Sequence, residues 1–408
     1  MWKILIVFGT RPELIKLAPI IQKLKDLKDW NTIVVASGQH KELIEPILPL
    51  FDIQIHYNLS CSNIDLIENS TCISKSLVEI LRKERPNLIL VQGDTLTTYV
   101  ASFVAFLEKI PIVHLEAGLR SRNKFSPFPE EIYRILTDDL SDVFLAPTEK
   151  AYENLILEGK REDRIFLIGN TVVDALNMVL QRLDQDKLYS TLGLKLKIDS
   201  SILKSEPKVL ITSHRRENIG EPLKKICRAV KALALKYPEI IFIWSLHKNP
   251  MVRQIVINEL REHPKNLILT EALSYPETVL LLRDSILVMT DSGGIQEEVP
   301  SFRKAVLVLR NVTERSETIK YGFGFLVGQE EEKIINTFKY VYENKEFQNR
   351  LDSIPNPYGD GLSSERFVAL LKCDKFLSFL AEYPNSDREV LDECKSLVGQ
   401  FNYRYSYS

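Results

Sequence analysis

The sequence predicts an α/β protein made of two doubly wound Rossmann-like domains. Three observations lead there. Short apolar runs, rich in β-branched residues and apolar on both faces, alternate with helix-period segments, the mark of parallel strands in βα units. The pattern lapses in the charged segment 184–207 and then restarts, so it is laid down twice. The chain of 408 residues is also too long for one ordinary core and suits two domains.

In the first half, strands are expected at 4–8, 32–36, 88–91, 112–115 and 143–146, with helices between them such as 15–27 and 72–83. In the second half they are expected at 209–212, 240–244, 267–269, 286–289 and 306–309. The boundary falls near Asn170 to Asp174, giving domains 1–170 and 171–360, with 184–207 as an extra helix or surface connection. The segment 361–408 is helical with a Tyr-rich end and is expected to pack back toward the N-terminal domain. Doubly wound sheets bind ligands at the C-terminal ends of their strands. Two such domains facing a cleft would hold a nucleotide on one and its substituent on the other.

Composition narrows the class. Apolar residues at 45% and charged residues at 26% are ordinary for a globular enzyme. A net charge of −2 gives no electrostatic case for nucleic acid or an anionic membrane. Five scattered cysteines, with no C-x-x-C spacing, argue for a reducing compartment and against a disulfide framework or a zinc site. With neither a signal-like start nor an apolar stretch of transmembrane length, the expected location is the cytoplasm.

The sharpest local signal is Thr290-Asp-Ser-Gly-Gly-Ile-Gln-Glu-Glu298, which follows the apolar strand 286–289. Ser292, Gly293 and Gly294 sit at a strand-to-helix turn, where backbone N–H groups and the helix N-terminus suit a phosphate. Glu298, one to two turns on, can reach sugar hydroxyls. A serine-capped tight turn is the bland alternative; the flanking Asp291 and Gln296-Glu-Glu298 favour a diphosphate and ribose site.

Other strand ends carry charge. Gly9-Thr-Arg-Pro-Glu-Leu-Ile-Lys16 puts Arg11 and Lys16 at a first turn, where they could neutralise a diphosphate or simply be a solvated helix start. Asp94 in Gly93-Asp-Thr95 is either an acid/base carboxylate or an N-cap, and the stretch alone leaves the two even. His114-Leu-Glu-Ala-Gly-Leu-Arg120 and Pro127-Phe-Pro-Glu-Glu131, with Arg134, add Glu116, Glu130 and Glu131. Strand alternation puts His114 and Glu116 on one side. Clustered carboxylates raise one another's pKa values, a way to hold an acid and a base together. At least one of Glu130 and Glu131 is expected to serve the helix start instead. His214, beside Arg215 and Arg216, reads as a phosphate contact or proton donor. His247 repeats the theme, His40 shares the ambiguity between site and loop, and Arg315 supplies a second cation near Ser292. No histidine pair has metal-ligand spacing, and no Gly-x-Gly-x-x-Gly or Walker loop is present.

Taken together, these motifs resemble the non-hydrolysing UDP-N-acetylglucosamine 2-epimerases, a family of the glycosyltransferase-B (GT-B) architecture. The segments are Phe8-Gly-Thr-Arg-Pro-Glu13 with Lys16, Gly38-Gln-His40, Gly93-Asp-Thr95, His114 to Arg120, Ser126-Pro-Phe-Pro-Glu-Glu131, Gly169-Asn-Thr171, His214-Arg-Arg-Glu217, Thr290 to Glu298, Thr313-Glu-Arg315 and Asn356-Pro-Tyr-Gly-Asp-Gly361. The resemblance implies reversible inversion at C2 of a UDP-linked 2-acetamido sugar, through loss and re-addition of UDP around a 2-acetamidoglucal. It implies catalytic Asp94, Glu116, Glu130 and His214. It implies substrate-binding Arg11, Lys16, Arg134, His247, Ser292, Gly293, Gly294, Glu298 and Arg315. It further implies a homodimer with no cofactor or metal, acting on a UDP-sugar in cell-surface polysaccharide biosynthesis.

Several positions depart from the family pattern. Tyr133 replaces an asparagine, Ser316 and Ala305 replace prolines, and Thr278 stands where an aromatic residue near the base is frequent. Ile73 replaces an arginine that helps bacterial members hold a second, activating nucleotide sugar. A GT-B glycosyltransferase, a hydrolysing epimerase and a non-catalytic nucleotide-sugar sensor are the competing readings. The grouped carboxylates speak against the sensor.

Overall fold

The computed structural model describes residues 1–39, 41–61, 65–386 and 389–400, apart from the side chains of Lys41 and Arg216. They form two compact units, one of residues 1–178 with 358 onward, the other of residues 179–357.

The first unit holds a seven-stranded sheet. Its strands are β1 (Trp2–Phe8), β2 (Trp30–Ala36), β3 (Tyr57–Asn58), β4 (Leu88–Gln92), β5 (Ile112–Leu115), β6 (Val143–Ala146) and β7 (Ile165–Leu167), in the order β3-β2-β1-β4-β5-β6-β7. Every neighbouring pair is parallel. The second unit holds a six-stranded sheet of β8 (Lys208–Ser213), β9 (Ile241–Leu246), β10 (Leu267–Thr270), β11 (Leu287–Thr290), β12 (Ala305–Val308) and β13 (Gly324–Leu326). Its order is β10-β9-β8-β11-β12-β13, again all parallel. In each sheet the order reverses beside the first strand, between β1 and β4 and between β8 and β11. Those switch points are where helices depart to opposite faces and leave a crevice for a ligand.

The ten expected strands are all present. Those that the sequence did not announce, β3, β7 and β13, are two or three residues long and lie at sheet edges. They are too short for an apolar run to stand out. The central strands are sealed on both faces: Ile4, Leu5, Ile6, Val7 and Phe8 are inaccessible to solvent, as are Val209, Leu210 and Ile211.

The first helix starts earlier than its apolar period suggests, at Arg11 and not Ile15, and runs to Leu24. The carboxylate of Glu13 turns back to accept from the backbone N–H groups of Gly9 (3.1 Å) and Thr10 (2.7 Å), while Pro12 pre-sets the first turn. The charged segment 184–207 folds into helices Gln185–Leu196 and Ser200–Ser205, which lay Leu192, Leu196 and Leu203 on the second sheet. Helix Ser363–Leu371 packs on helix Arg11–Leu24 within the first unit. Its start is fixed by Asp174, which accepts from the Ser364 N–H (2.8 Å) and hydroxyl (2.7 Å).

The cysteine reading is overturned. Cys61 pairs with Cys72 and Cys373 with Cys394, and only Cys227 is free. Partners lie 11 and 21 residues apart in sequence, yet the fold brings their Cα atoms to 5.9 and 5.7 Å. Local motif spacing cannot see such pairs, so the cysteines no longer argue for a reducing compartment. Among the described residues, no helix is long and apolar enough to cross a membrane.

Candidate active site

The switch point of the first unit gathers carboxylates. Asp94 lies in the turn after β4, about one-third exposed, and its Oδ2 is ion-paired with the Nη2 of the buried Arg134. Arg134 stands one helical turn beyond Glu130, on helix Glu130–Leu140, and Glu131 Oε2 lies 3.3 Å from its Nη1. Glu116 follows β5 in a left-handed conformation, φ +71°, unusual for a residue with a side chain. Two donors hold its Oε2, Lys16 Nζ and Gln92 Nε2, each at 2.5 Å. Asp94 and Glu116 therefore each face a cation. The Glu130 Oε2 is buried and has no hydrogen-bond partner.

The neighbours hold the frame. Glu131 accepts from the backbone N–H groups of Ser121 (2.9 Å) and Arg122 (2.8 Å) and so pins the loop after β5, while Glu130 is left to the site. His114 is inaccessible. Its Nδ1 meets Asp138 at 2.6 Å and its Nε2 meets the Gly93 carbonyl at 2.8 Å, tying the turn that carries Asp94 to helix Glu130–Leu140. Burial works to raise the Asp138 pKa, but His114 and Arg120 outweigh it and hold the group below the usual value. Alternation does not extend from His114 to Glu116, because β5 stops at Leu115. Glu13 is likewise internal: burial pushes it up, against hydrogen bonds from Thr10, Thr95, Gly9 and Thr98 that pull it down. Arg11 is half-buried, with no hydrogen bond or ion pair among the described residues.

The switch point of the second unit gathers cations. Ser292 caps the short helix Gly293–Glu298. A side chain on Gly293 would meet Glu314 Oε1 at 3.2 Å, Arg215 Nη2 at 3.5 Å and Arg315 Cζ at 3.6 Å, so both guanidinium groups stand beside the glycine turn. The nearest atom above Gly294 is the Ser292 Oγ at 3.9 Å, leaving that backbone open. Such a turn suits an oxyanion.

Buried acids hold these cations. Asp291 is inaccessible and accepts from the Ser213 hydroxyl (2.9 Å), the backbone N–H groups of His214 and Arg215 (3.0 Å each) and Asn218 Nδ2 (2.8 Å). Burial works to raise its pKa, yet the His214 ring, 3.1 Å away through Nδ1, and the other donors bring it to about 2. With Nδ1 so engaged, His214 has Nε2 left for a ligand. Glu314 is also drawn down to about 2 against its burial, by Arg315, Arg310 and Arg215. Arg315 is further fixed by Glu297 Oε1 at 2.6 Å. His247 is exposed, its ring centroid 5.5 Å from that of His214. Glu298 is buried in the same helix.

The structure thus assembles the expected residues into two sets. Asp94, Glu116, Glu130, Lys16 and Arg134 belong to the first unit; His214, His247, Ser292, Gly293, Gly294 and Arg315 belong to the second. Sequence reasoning did not single out Gln92, Asp138, Asp291 as an anchor, or Glu314. A glutamine at the end of an apolar strand and an acid just before the glycine turn were the available signals. His40 and the tail 401–408 lie outside the described residues. Among the described residues, no group of three or more His, Cys, Asp or Glu could hold a metal ion.

Comparison with known proteins follows the same lines. A family model described as UDP-N-acetylglucosamine 2-epimerase matches residues 22–372. A UDP-N-acetylglucosamine 2-epimerase of Neisseria meningitidis is 42% identical over 372 residues, covering 90% of this chain and 99% of the relative. A crystal structure of the N. meningitidis enzyme bound to UDP-GlcNAc superposes with a TM-score of 0.84 at 41% identity, covering 91% of this chain and 100% of that one. The Methanocaldococcus jannaschii enzyme in complex with UDP-GlcNAc and UDP gives a TM-score of 0.77 at 31% identity, covering 91% and 99%.

Proposed function

The chain belongs to the UDP-N-acetylglucosamine 2-epimerase family, and from that premise we propose that it interconverts UDP-GlcNAc and its C2 epimer by eliminating and re-adding UDP. The observation that carries the mechanism is the carboxylate group of the first unit. Glu130 keeps a buried oxygen without a partner, while Asp94 and Glu116 are each held by a cation.

The C2 proton of the sugar is barely acidic until the bond from C1 to the diphosphate oxygen begins to break. Departure of UDP with that electron pair, and removal of the C2 proton, leave the 2-acetamidoglucal. Return of a proton to the other face of C2, with the diphosphate oxygen attacking C1, gives the epimer. Two faces need two groups. Glu130 Oε2 and the Asp94 oxygen not engaged by Arg134 serve them. Glu116, fixed by Lys16 and Gln92, stabilises positive charge developing at C1. The second unit takes the leaving group: the Ser292–Gly294 turn and Arg315 hold the diphosphate, Glu298 the ribose, and His214 Nε2 supports departure. Arg11, unpaired in the first unit, is the further cation for the phosphates. The exposed Phe103, Phe106 and Leu107 of helix Leu96–Leu107 support a homodimer, which molar mass in solution tests.

The deciding experiment is incubation with UDP-GlcNAc alone in deuterated water. The expected result is both epimers, with deuterium at C2 of each. Free sugar would instead mean hydrolysis, and epimer without deuterium would remove the proposed route.

A further inference from the structure

The turns described so far lie at the C-terminal ends of the strands. At the opposite end of the second sheet, where β8 begins at Lys208 and the chain enters β11 at Ile286, lies a surface cavity of about 670 Å³. Lys208 lines it. This side chain is 3% exposed and makes no hydrogen bond or ion pair among the described residues. An ammonium on so buried a residue, with no hydrogen-bond partner of its own, gives up much of its hydration, a cost that an anion in the cavity would offset.

The nearby acids are already engaged. Asp284 is taken by Arg283, at 2.7 Å to Oδ1 and 3.1 Å to Oδ2, and by the Tyr189 hydroxyl. Asp186 is taken by Lys204 at 2.6 Å. That leaves Lys208 and the half-buried Lys304 against Glu206, which is exposed to solvent. Burial pushes the Lys208 amine below the ordinary lysine range, Asp284 and Glu206 oppose this, and Lys304 adds to it. The lining thus carries four cations, Lys204, Lys208, Arg283 and Lys304, against three acids, Asp186, Glu206 and Asp284, and has positive charge to offer an anion.

We propose that this cavity is a binding site for a phosphate group, with Lys208 as its buried contact and Lys304 at its rim. Nothing in the activity proposed above uses these residues. The site is separated from the Ser292 turn by the length of β11, roughly 13 Å for four residues. A phosphate there would meet two unpaired cations, and the cavity is large enough for the rest of a small phosphorylated molecule.

Inorganic phosphate is titrated by calorimetry into the full-length protein saturated with UDP, so that the glycine turn is filled, and again without UDP. The wild type is expected to bind phosphate in both cases. Lys208→Met and Lys304→Ala should each weaken that binding roughly ten-fold or more, with UDP affinity unchanged. A second equivalent of UDP that Lys208→Met abolishes would support the site with a nucleotide phosphate as its source. Phosphate that binds only without UDP, or binds wild type and both variants alike, would overturn the proposal. Should Lys208→Met fail to fold, Lys304→Ala, at a half-buried position, still decides.

Discussion

The two units share one topology and invert its charge. Both sheets reverse direction beside their first strand, and both place a strand-to-helix turn there. In the first unit the groups offered to a substrate are carboxylates, and the cations Lys16 and Arg134 hold them in place. In the second the offered groups are cations, and the acids Asp291, Glu297 and Glu314 hold them. The scaffold is therefore indifferent to the chemistry. What distinguishes proton transfer from phosphate binding is which sign serves as support and which is offered to the substrate.

That contrast breaks most plainly at the carboxylates. Asp94→Asn, Glu116→Gln and Glu130→Gln should each lower turnover by roughly 100-fold or more while UDP affinity stays at the wild-type value. Turnover from coupled assays and UDP affinity from calorimetry give the two numbers. A variant that loses UDP binding together with turnover would show that the separation of roles between the units is false.

The support residues come next. Asp291→Asn removes the charge facing His214 and leaves a buried amide among donors, so UDP affinity should fall by roughly ten-fold or more, as for a broken charged hydrogen bond. Gln92→Met removes a donor that holds Glu116 and should lower turnover by about ten-fold with UDP affinity unchanged. If Asp291→Asn altered turnover and not affinity, the acid would be catalytic and the contrast would need redrawing.

Acid titration sharpens the comparison. Asp291 and Glu314 have folded pKa values of about 2, below their unfolded values. Their stabilisation is present above the unfolded carboxylate range and is lost as pH falls toward about 2. For Asp291 this is on the order of 2 kcal/mol. The melting temperature of wild type should therefore fall between about pH 4 and pH 2, and that of Asp291→Asn should fall less steeply over the same window. Parallel curves would remove Asp291 from the account.

Much of this was legible in the sequence, and the gaps have physical causes. The ten longer strands announced themselves because central parallel strands are apolar on both faces; β3, β7 and β13 did not, being short edges. Charged residues after strand ends marked both switch points, since a charge at a buried strand terminus needs a reason. Their division of labour was hidden. Nothing in Pro-Glu-Glu says that Glu131 turns to the backbone of Ser121 and Arg122 while Glu130 stays unpaired; that depends on a loop ten residues upstream. The disulfides were hidden for the same reason, as contacts made only by the fold.

The smallest expected effect is an absence, and it tests whether the first unit has a cation to spare. Lys16 pairs with Glu116 and Arg134 with Asp94, although Nε and Nη1 of Arg134 have no hydrogen-bond partner, and Arg11 makes no ion pair among the described residues. Ile73 stands where the family resemblance implies an arginine directed at a second nucleotide sugar. Its side chain is inaccessible, packed in helix Leu66–Glu84 among Cys61, Leu77 and the β1 residues Leu5 and Val7. The position lacks the charge and is also sealed from solvent, and a phosphate brought against it would lose its hydration without gaining a donor. Added UDP-GlcNAc should therefore not activate the reverse reaction, and rates against substrate concentration should be hyperbolic. A sigmoidal curve, or a rate that rises when a trace of UDP-GlcNAc is added to its epimer, would mean that another cation of the first unit rebuilds the activator site. Arg11→Ala would then identify it: loss of activation with residual basal turnover would place Arg11 on the second nucleotide, and loss of both would leave it on the substrate.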